Sequence, residues 1–293
     1  MTSSKTILII GGTGMLGKPV AQQLKADGFN VRLLVRNPEK AKKLLGEGYE
    51  FMQGDVDNEA SIRAALTDVD GVHISLKGGP TAADFERMDH FAVRDIARIA
   101  REKNVGRVTL ISAYAVSEEK ADTPESRSKL KGEAALKSSG VPYTIFRASW
   151  FMETLPIFVQ GKSISLIGNQ IHPLHWIAAE DYARMVSKSY QTDESLNKEL
   201  YIFGPEAYTM GEAMKIYASI AAPDLKVSPV STKMLAILGA LTFNTEWKSM
   251  ATLMEHYERH GEDGSPEEAN RLLGRPTTTL KKWCNKRTGE CLR

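Results

Sequence analysis

Cysteine is nearly absent: there are two in 293 residues, Cys284 and Cys291, both close to the C-terminus. That excludes a disulfide-stapled secreted scaffold, and CNKRTGEC reads as two reduced tail cysteines. An excess of charge of one sign is absent too. A formal net charge of +2 supplies no field for nucleic acid or a membrane surface. The basic tail LKKWCNKR reads as a solvated face. No apolar run approaches the length of a bilayer span. The most apolar stretch, MLAILGALTF at 234–243, reads as a buried helix. The start, MTSSKTILII, lacks the long apolar region and cleavage site of a signal peptide. These absences together lead us to expect a cytoplasmic protein with no membrane or nucleic-acid partner.

What is present is alternation. Short apolar runs at 7–10, 31–35, 49–53, 69–76, 107–112 and 142–146 alternate with amphipathic stretches at 15–27, 38–46, 58–66, 84–103 and 126–139. Strands alternating with helices imply βαβ units, hence an α/β, doubly wound parallel sheet (the Rossmann arrangement) with ligand where the strand order reverses. The stretch 84–103 reads as one helix, because Phe85, Met88, Phe91, Ile96 and Ile99 recur at helical intervals. After about residue 150 the pattern changes and helical patterns dominate, at 180–190, 209–221, 231–241 and 246–260, with strand candidates at 162–167 and 199–203. No self-contained core is evident there. We therefore expect a doubly wound domain over 1–155, of the kind that binds a ligand at its switch point, and a smaller, partly interleaved lobe of mixed structure over 156–293 that covers the substrate.

The first strand runs into Gly11, Gly14 and Gly17 in ILIIGGTGMLG. The first glycine permits the tight turn, the second lets the main chain approach a pyrophosphate, and the third lets helix and strand pack closely. Thr13 and Met15 then offer backbone N–H groups at the positive end of a helix. The second strand ends VRLLVRNPEKA, with Arg36 where an NAD site carries an acid, and Lys40 one turn on. A guanidinium cannot accept a bond from a ribose hydroxyl but pairs well with a 2′-phosphate. NADP(H) is thus expected over NAD(H).

The spacing Gly-x-x-Gly-x-x-Gly resembles the short-chain dehydrogenase/reductase superfamily. Lys129, Glu133, Ser139-Gly140, the strand PYTIF and Arg147 resemble its NmrA-like, atypical group, which includes quinone reductases. The resemblance covers roughly residues 5–190 and implies several roles. Asp55 meets the adenine, Ser112 ends the fifth strand, Lys129 holds the nicotinamide ribose, and Ala148 to Phe151 line the nicotinamide. After the triplet Phe151-Met152-Glu153 this chain has Thr154 where members often have Asn. The Tyr-x-x-x-Lys pair of most superfamily members is missing, and Glu125 stands where the Tyr would be.

Without that Tyr, reduction of an ordinary ketone lacks its positioned acid. A quinone needs none, because its hydroquinone anion is stabilised by delocalisation and takes a proton from water. The expected function is NADPH-dependent hydride transfer to a small-molecule quinone or conjugated carbonyl. Two alternatives stay open: a non-catalytic NADP(H) sensor acting on a protein partner, and an isoflavone-reductase-like enzyme. Tyr114, after the fifth strand, is a candidate donor or substrate contact, and Trp150 and Phe151 are candidate pocket walls. His172 and His175 have no cysteine or acidic cluster beside them, so no metal is expected. Asp181 is expected to cap a helix.

Overall fold

Strands buried on both faces of a sheet need continuous apolar runs, and the computed structural model, which describes residues 4–288, forms its strands from those runs. The chain proceeds through β1 (Thr6–Ile10), α1 (Gly17–Ala26), β2 (Asn30–Val35), α2 (Pro38–Leu45), β3 (Glu50–Gln53), α3 (Glu59–Ala65), β4 (Gly71–Ile74), α4 (Ala82–Phe85), α5 (Ala92–Glu102), β5 (Arg107–Ala113), α6 (Pro124–Ser138) and β6 (Tyr143–Ala148). It continues with β7 (Val159–Gln160), β8 (Ser163–Ile167), β9 (Leu174–His175), α7 (Ala179–Ser189), β10 (Lys198–Ile202), β11 (Ala207–Tyr208), α8 (Met210–Ala221), β12 (Lys226–Val230), α9 (Thr232–Leu241), α10 (Thr245–Arg259), α11 (Glu267–Leu273) and α12 (Leu280–Lys286).

Seven strands make one parallel sheet in the order β10-β6-β5-β4-β1-β2-β3. The order reverses between β1 and β4, where Ile10 pairs with Ile74, and a crevice opens beyond their carboxyl ends. Side chains alternate across β1: Ile7 and Ile9 pack with α1 and α7, and Leu8 and Ile10 pack with α3 and α5. The expected α/β class and doubly wound order are both present. Two small mixed sheets, β11-β9 and β12-β8-β7, lie beyond.

Three expectations need correction. The stretch 84–103 is not one regular helix: a π-helical segment, Glu86–Phe91, separates α4 from α5. The C-terminal part shares its core with the rest of the chain, for Trp176, Met210, Met214, Tyr217 and Trp283 cluster with Tyr114, Met152 and Leu155. Segment 234–243 is helical but not buried, for Ile237, Leu241 and Phe243 are exposed to 60%, 71% and 89%. Asp181 does not cap α7. It is buried within the first turn and accepts from the Thr277 and Thr278 N–H groups at 3.2 and 2.8 Å. Glu153 instead accepts from the Ala179 N–H at the start of α7, at 3.0 Å. Cys284 is buried in α12, and Cys291 lies outside the described residues.

Candidate cofactor site and acceptor cleft

Gly11 has φ +86°, and a Cβ there would overlap the Ser75 carbonyl beyond β4; a Cβ on Gly17 would overlap the Gly11 carbonyl. Side chains at these two positions would push apart the strand, the turn and α1. Gly14 differs: the nearest atom to an added Cβ is the Gly11 oxygen at 3.2 Å, and Thr13, Gly14 and Met15 are exposed. A side chain there would fill the open face of the loop. No side chain caps α1, whereas Asn37, Asn58, Thr123 and Thr209 cap α2, α3, α6 and α8. An uncapped helix start behind an exposed glycine loop fits a diphosphate in both charge and shape.

Arg36 and Lys40 are both exposed at the end of β2 and in the first turn of α2, and among the described residues no ion pair engages either. Asp55 follows β3 half-buried. Its Oδ1 accepts from the Asp57 N–H at 3.1 Å, and Asn58 caps α3.

The other end of the crevice is organised by α6. Lys129 Nζ donates to Asp89 Oδ1 at 2.7 Å and lies 3.8 Å from Glu125 Oε1. Burial opposes the Lys129 charge, but Asp89 and Glu125 outweigh it and hold the ammonium above its usual range. Asp89 comes from the π-helical segment, which can approach because α6 has Gly132 there; a Cβ on Gly132 would overlap the Asp89 carbonyl. Such π-segments often mark functional sites. Ser112 Oγ donates to Glu133 Oε1 at 2.6 Å, and Arg147 Nη2 donates to Glu133 Oε2 at 2.6 Å. The structure thus brings together Ser112, Lys129, Glu133 and Arg147. It joins to them Asp89, which sequence reasoning missed because it read as one more charge on the outer face of a regular helix.

A small cavity at the ends of β4 and β5 touches Asp89, Ser112 and Lys129. A second touches Lys129, Glu125, His256 and Tyr257. A third, of about 160 Å³, lies between the starts of α4 and α6 and the side of α10, with Phe85, Glu125, Thr252 and Leu253 in its wall. The cleft wall contributed by α10 was also missed. Its visible signal was His256 and His260 at i,i+4 within the helical pattern 246–260. Both histidines bond Asp122, through Nδ1 at 2.5 Å and Nε2 at 3.3 Å, and Arg259 joins them at 2.7 Å. These three potential metal ligands, Asp122, His256 and His260, lie within 4.8 Å of one another. They bond each other and Arg259.

The remaining candidates lie deeper. Tyr114 is buried against Tyr257, with ring centroids 5.6 Å apart, and its hydroxyl donates to the His260 carbonyl at 3.3 Å. Burial pushes its phenol well above the usual range. Trp150 packs among Phe158, Trp176 and Tyr257, and Phe151 is buried against Tyr182. His73 is fully buried between Thr109 and Tyr182 in a structural position. His175 pairs with Glu262 at 2.5 Å.

A family model described as NAD(P)H-binding matches residues 11–172, more than half of the chain. The chain belongs to this NAD(P)H-binding family. A relative 30% identical over 209 residues, covering 70% of each chain, is the (4-alkanoyl-5-oxo-2,5-dihydrofuran-3-yl)methyl phosphate reductase of Streptomyces griseus. Another, 27% identical over 247 residues and covering 83% of this chain and 77% of its own, is the photosystem II assembly factor Ycf39 of Trieres chinensis. The solved NADPH complex of an Escherichia coli NADPH-dependent quinone oxidoreductase shares the fold, with a TM-score of 0.74, 22% identity, and 96% and 99% of the two chains covered. The expectation of a cytoplasmic protein is corrected. A relative from Arabidopsis thaliana, 24% identical over 251 residues, is named as chloroplastic, so membership of this NAD(P)H-binding family sets no default compartment. Among the described residues no helix is long and apolar enough to cross a membrane.

Proposed function

We propose that this protein is an NADPH-preferring oxidoreductase of the NmrA-like, atypical short-chain type, acting on a small quinone or conjugated carbonyl. The observation that carries the reading is Lys129, held on Asp89 at 2.7 Å where the crevice meets the cleft under α10. Gly11, Thr13, Gly14, Met15 and Gly17 hold the diphosphate, Arg36 and Lys40 the 2′-phosphate, and Asp55 the adenine. Lys129 holds the nicotinamide ribose, and Ser112 and Phe151 back the ring. When bound, the reduced nicotinamide supplies a hydride. The chain positions the acceptor, excludes water with Leu253, Tyr257 and Trp150, and keeps a fixed ammonium beside the reacting end. Tyr114 belongs to the wall rather than to proton transfer, since its hydroxyl is already engaged. Residues 1–155 act as the cofactor domain and 156–293 as the acceptor lobe, interleaved because β10 joins the sheet beside β6.

A second reading has its own support: kinship to a photosystem II assembly factor fits a dinucleotide-binding protein that acts on a protein partner. NADPH absorbance over time, with purified protein and a panel of quinones, azo dyes and conjugated carbonyls, separates the two. Consumption with an acceptor is the expected result. Tight NADPH binding with no consumption across the panel transfers the assignment to the partner-binding reading.

A further inference from the structure

The missing Tyr leaves the question of what occupies its place. Glu125 does, one helical turn before Lys129 on the same face of α6. Glu125 is the one acidic residue shared by the walls of two cavities, one of which Lys129 also lines. About a quarter of its side chain is open. We propose that Glu125 is the proton donor of this site, placed to protonate the oxygen of an aldehyde or ketone. That acceptor class needs an acid, which quinones do not. The inference rests on the NADPH-dependent reading above and extends its substrate class to unactivated carbonyls.

The charge arrangement favours this role. One ammonium, Lys129, faces two carboxylates, and it is closer to Asp89, at 2.7 Å, than to Glu125, at 3.8 Å. When two carboxylates share one cation, the less well paired one keeps its proton more readily. Burial pushes the Glu125 carboxyl up, Asp89 adds to that, and Lys129 and Lys77 oppose it, leaving it above the usual carboxylate range. Lys248, His256 and Tyr257 of α10 face the same cavities. In the step, the carbonyl carbon gains the hydride from bound NADPH and the carbonyl oxygen takes the Glu125 proton. C=O becomes CH–OH, NADP+ is the oxidised product, and the Glu125 carboxylate recovers a proton from water at the cleft mouth.

Glu125→Gln keeps the shape and removes the transferable proton. The expected result is a fall of about 10²-fold or more in the ratio of aldehyde or ketone reduction to quinone reduction. NADPH titration of the variant establishes that it is folded. Wild-type carbonyl reduction should decline as pH rises through the raised Glu125 pKa. Glu125→Tyr, which recreates the Tyr-x-x-x-Lys pair, should restore carbonyl reduction and move that decline to higher pH. An unchanged ratio in Glu125→Gln overturns the inference, as does a wild type that reduces quinones but no aldehyde or ketone, with the broader reading left intact. A second readout needs no cofactor. The apo protein should show an infrared C=O stretch from a carboxyl that stays protonated to higher pH than an ordinary glutamate, lost in Glu125→Gln, and its absence from wild type overturns the proposal. Failure of wild type to bind NADPH at all counts against the broader reading, and the infrared result still decides the state of Glu125.

Discussion

Arg36 is the residue on which the proposed cofactor preference turns. It stands exposed at the end of β2 with Lys40 one turn away, so a 2′-phosphate would meet two cations and no competing carboxylate. Arg36→Asp removes the charge-assisted bonds and adds a repulsion. NADPH affinity should fall by about 10- to 100-fold, with a far smaller change for NADH. Fluorescence titrations with both nucleotides test this, and equal losses would remove the preference. His73 supports a different prediction. Burial depresses its pKa from 6.5 to about 3. Below about pH 6.5 the unfolded chain takes up a proton that the folded chain refuses, so stability falls by about 1.4 kcal/mol per pH unit on acidification. Above that pH the residue contributes no slope. His73→Gln should flatten the dependence of the urea midpoint on pH between about 6.5 and 4 by that one proton; an unchanged slope would mean that His73 charges within the fold.

Elements differ in how much of themselves they reveal in sequence. The six strand runs and the glycine turn were legible because their reasons are local: burial on both faces needs unbroken apolar residues, and a turn against Ser75 needs glycine at position 11. Lys129, Glu133 and Arg147 were legible through resemblance. The π-helical segment was not, because the residue that lets it approach α6, Gly132, lies 43 positions beyond Asp89 in sequence. Gly132→Ala should therefore displace Asp89 from Lys129 and cost about 1–3 kcal/mol by overpacking. A lowered Tm together with weakened NADPH binding is the expected outcome, and a variant as stable as wild type would show that the segment has room to move. Helix α9 defeated the sequence reading in the opposite direction. Its apolar composition suggests burial, yet Ile237, Leu241 and Phe243 face outward. Since they bury little, replacing all three with Gln, Gln and Ser should change Tm by no more than a degree or two, while a patch this continuous should make wild type the less soluble of the two. A large drop in Tm would mean that these side chains pack in solution.

At the scale of the whole molecule, the proposed cofactor crevice and the proposed acceptor cleft draw on different parts of the chain and should separate kinetically. The phosphate loop, Arg36 and Asp55 sit on β1, β2 and β3. The outer wall of the cleft is α10, and α10 is tied to the approach of α6 by Asp122, which bonds His256, His260 and Arg259 at once. Lys120 and Asp263 add a second tie at 2.7 Å. Asp122 lies three residues before Glu125 in sequence, so the same short segment anchors the lobe and carries the proposed acid. Asp122→Ala leaves every residue assigned to the diphosphate, the 2′-phosphate and the adenine untouched. It removes three hydrogen bonds that hold the wall in place, about 1–3 kcal/mol in sum once solvent replaces the exposed ones. NADPH Kd should therefore stay near the wild-type value, while KM for the acceptor rises several-fold because the cleft is no longer pre-formed. Steady-state kinetics at saturating NADPH, alongside a direct NADPH titration, give both numbers. A rise in both KM and NADPH Kd would mean that the lobe and the cofactor domain move as one body, and an unchanged KM would mean that the acceptor does not bind beneath α10.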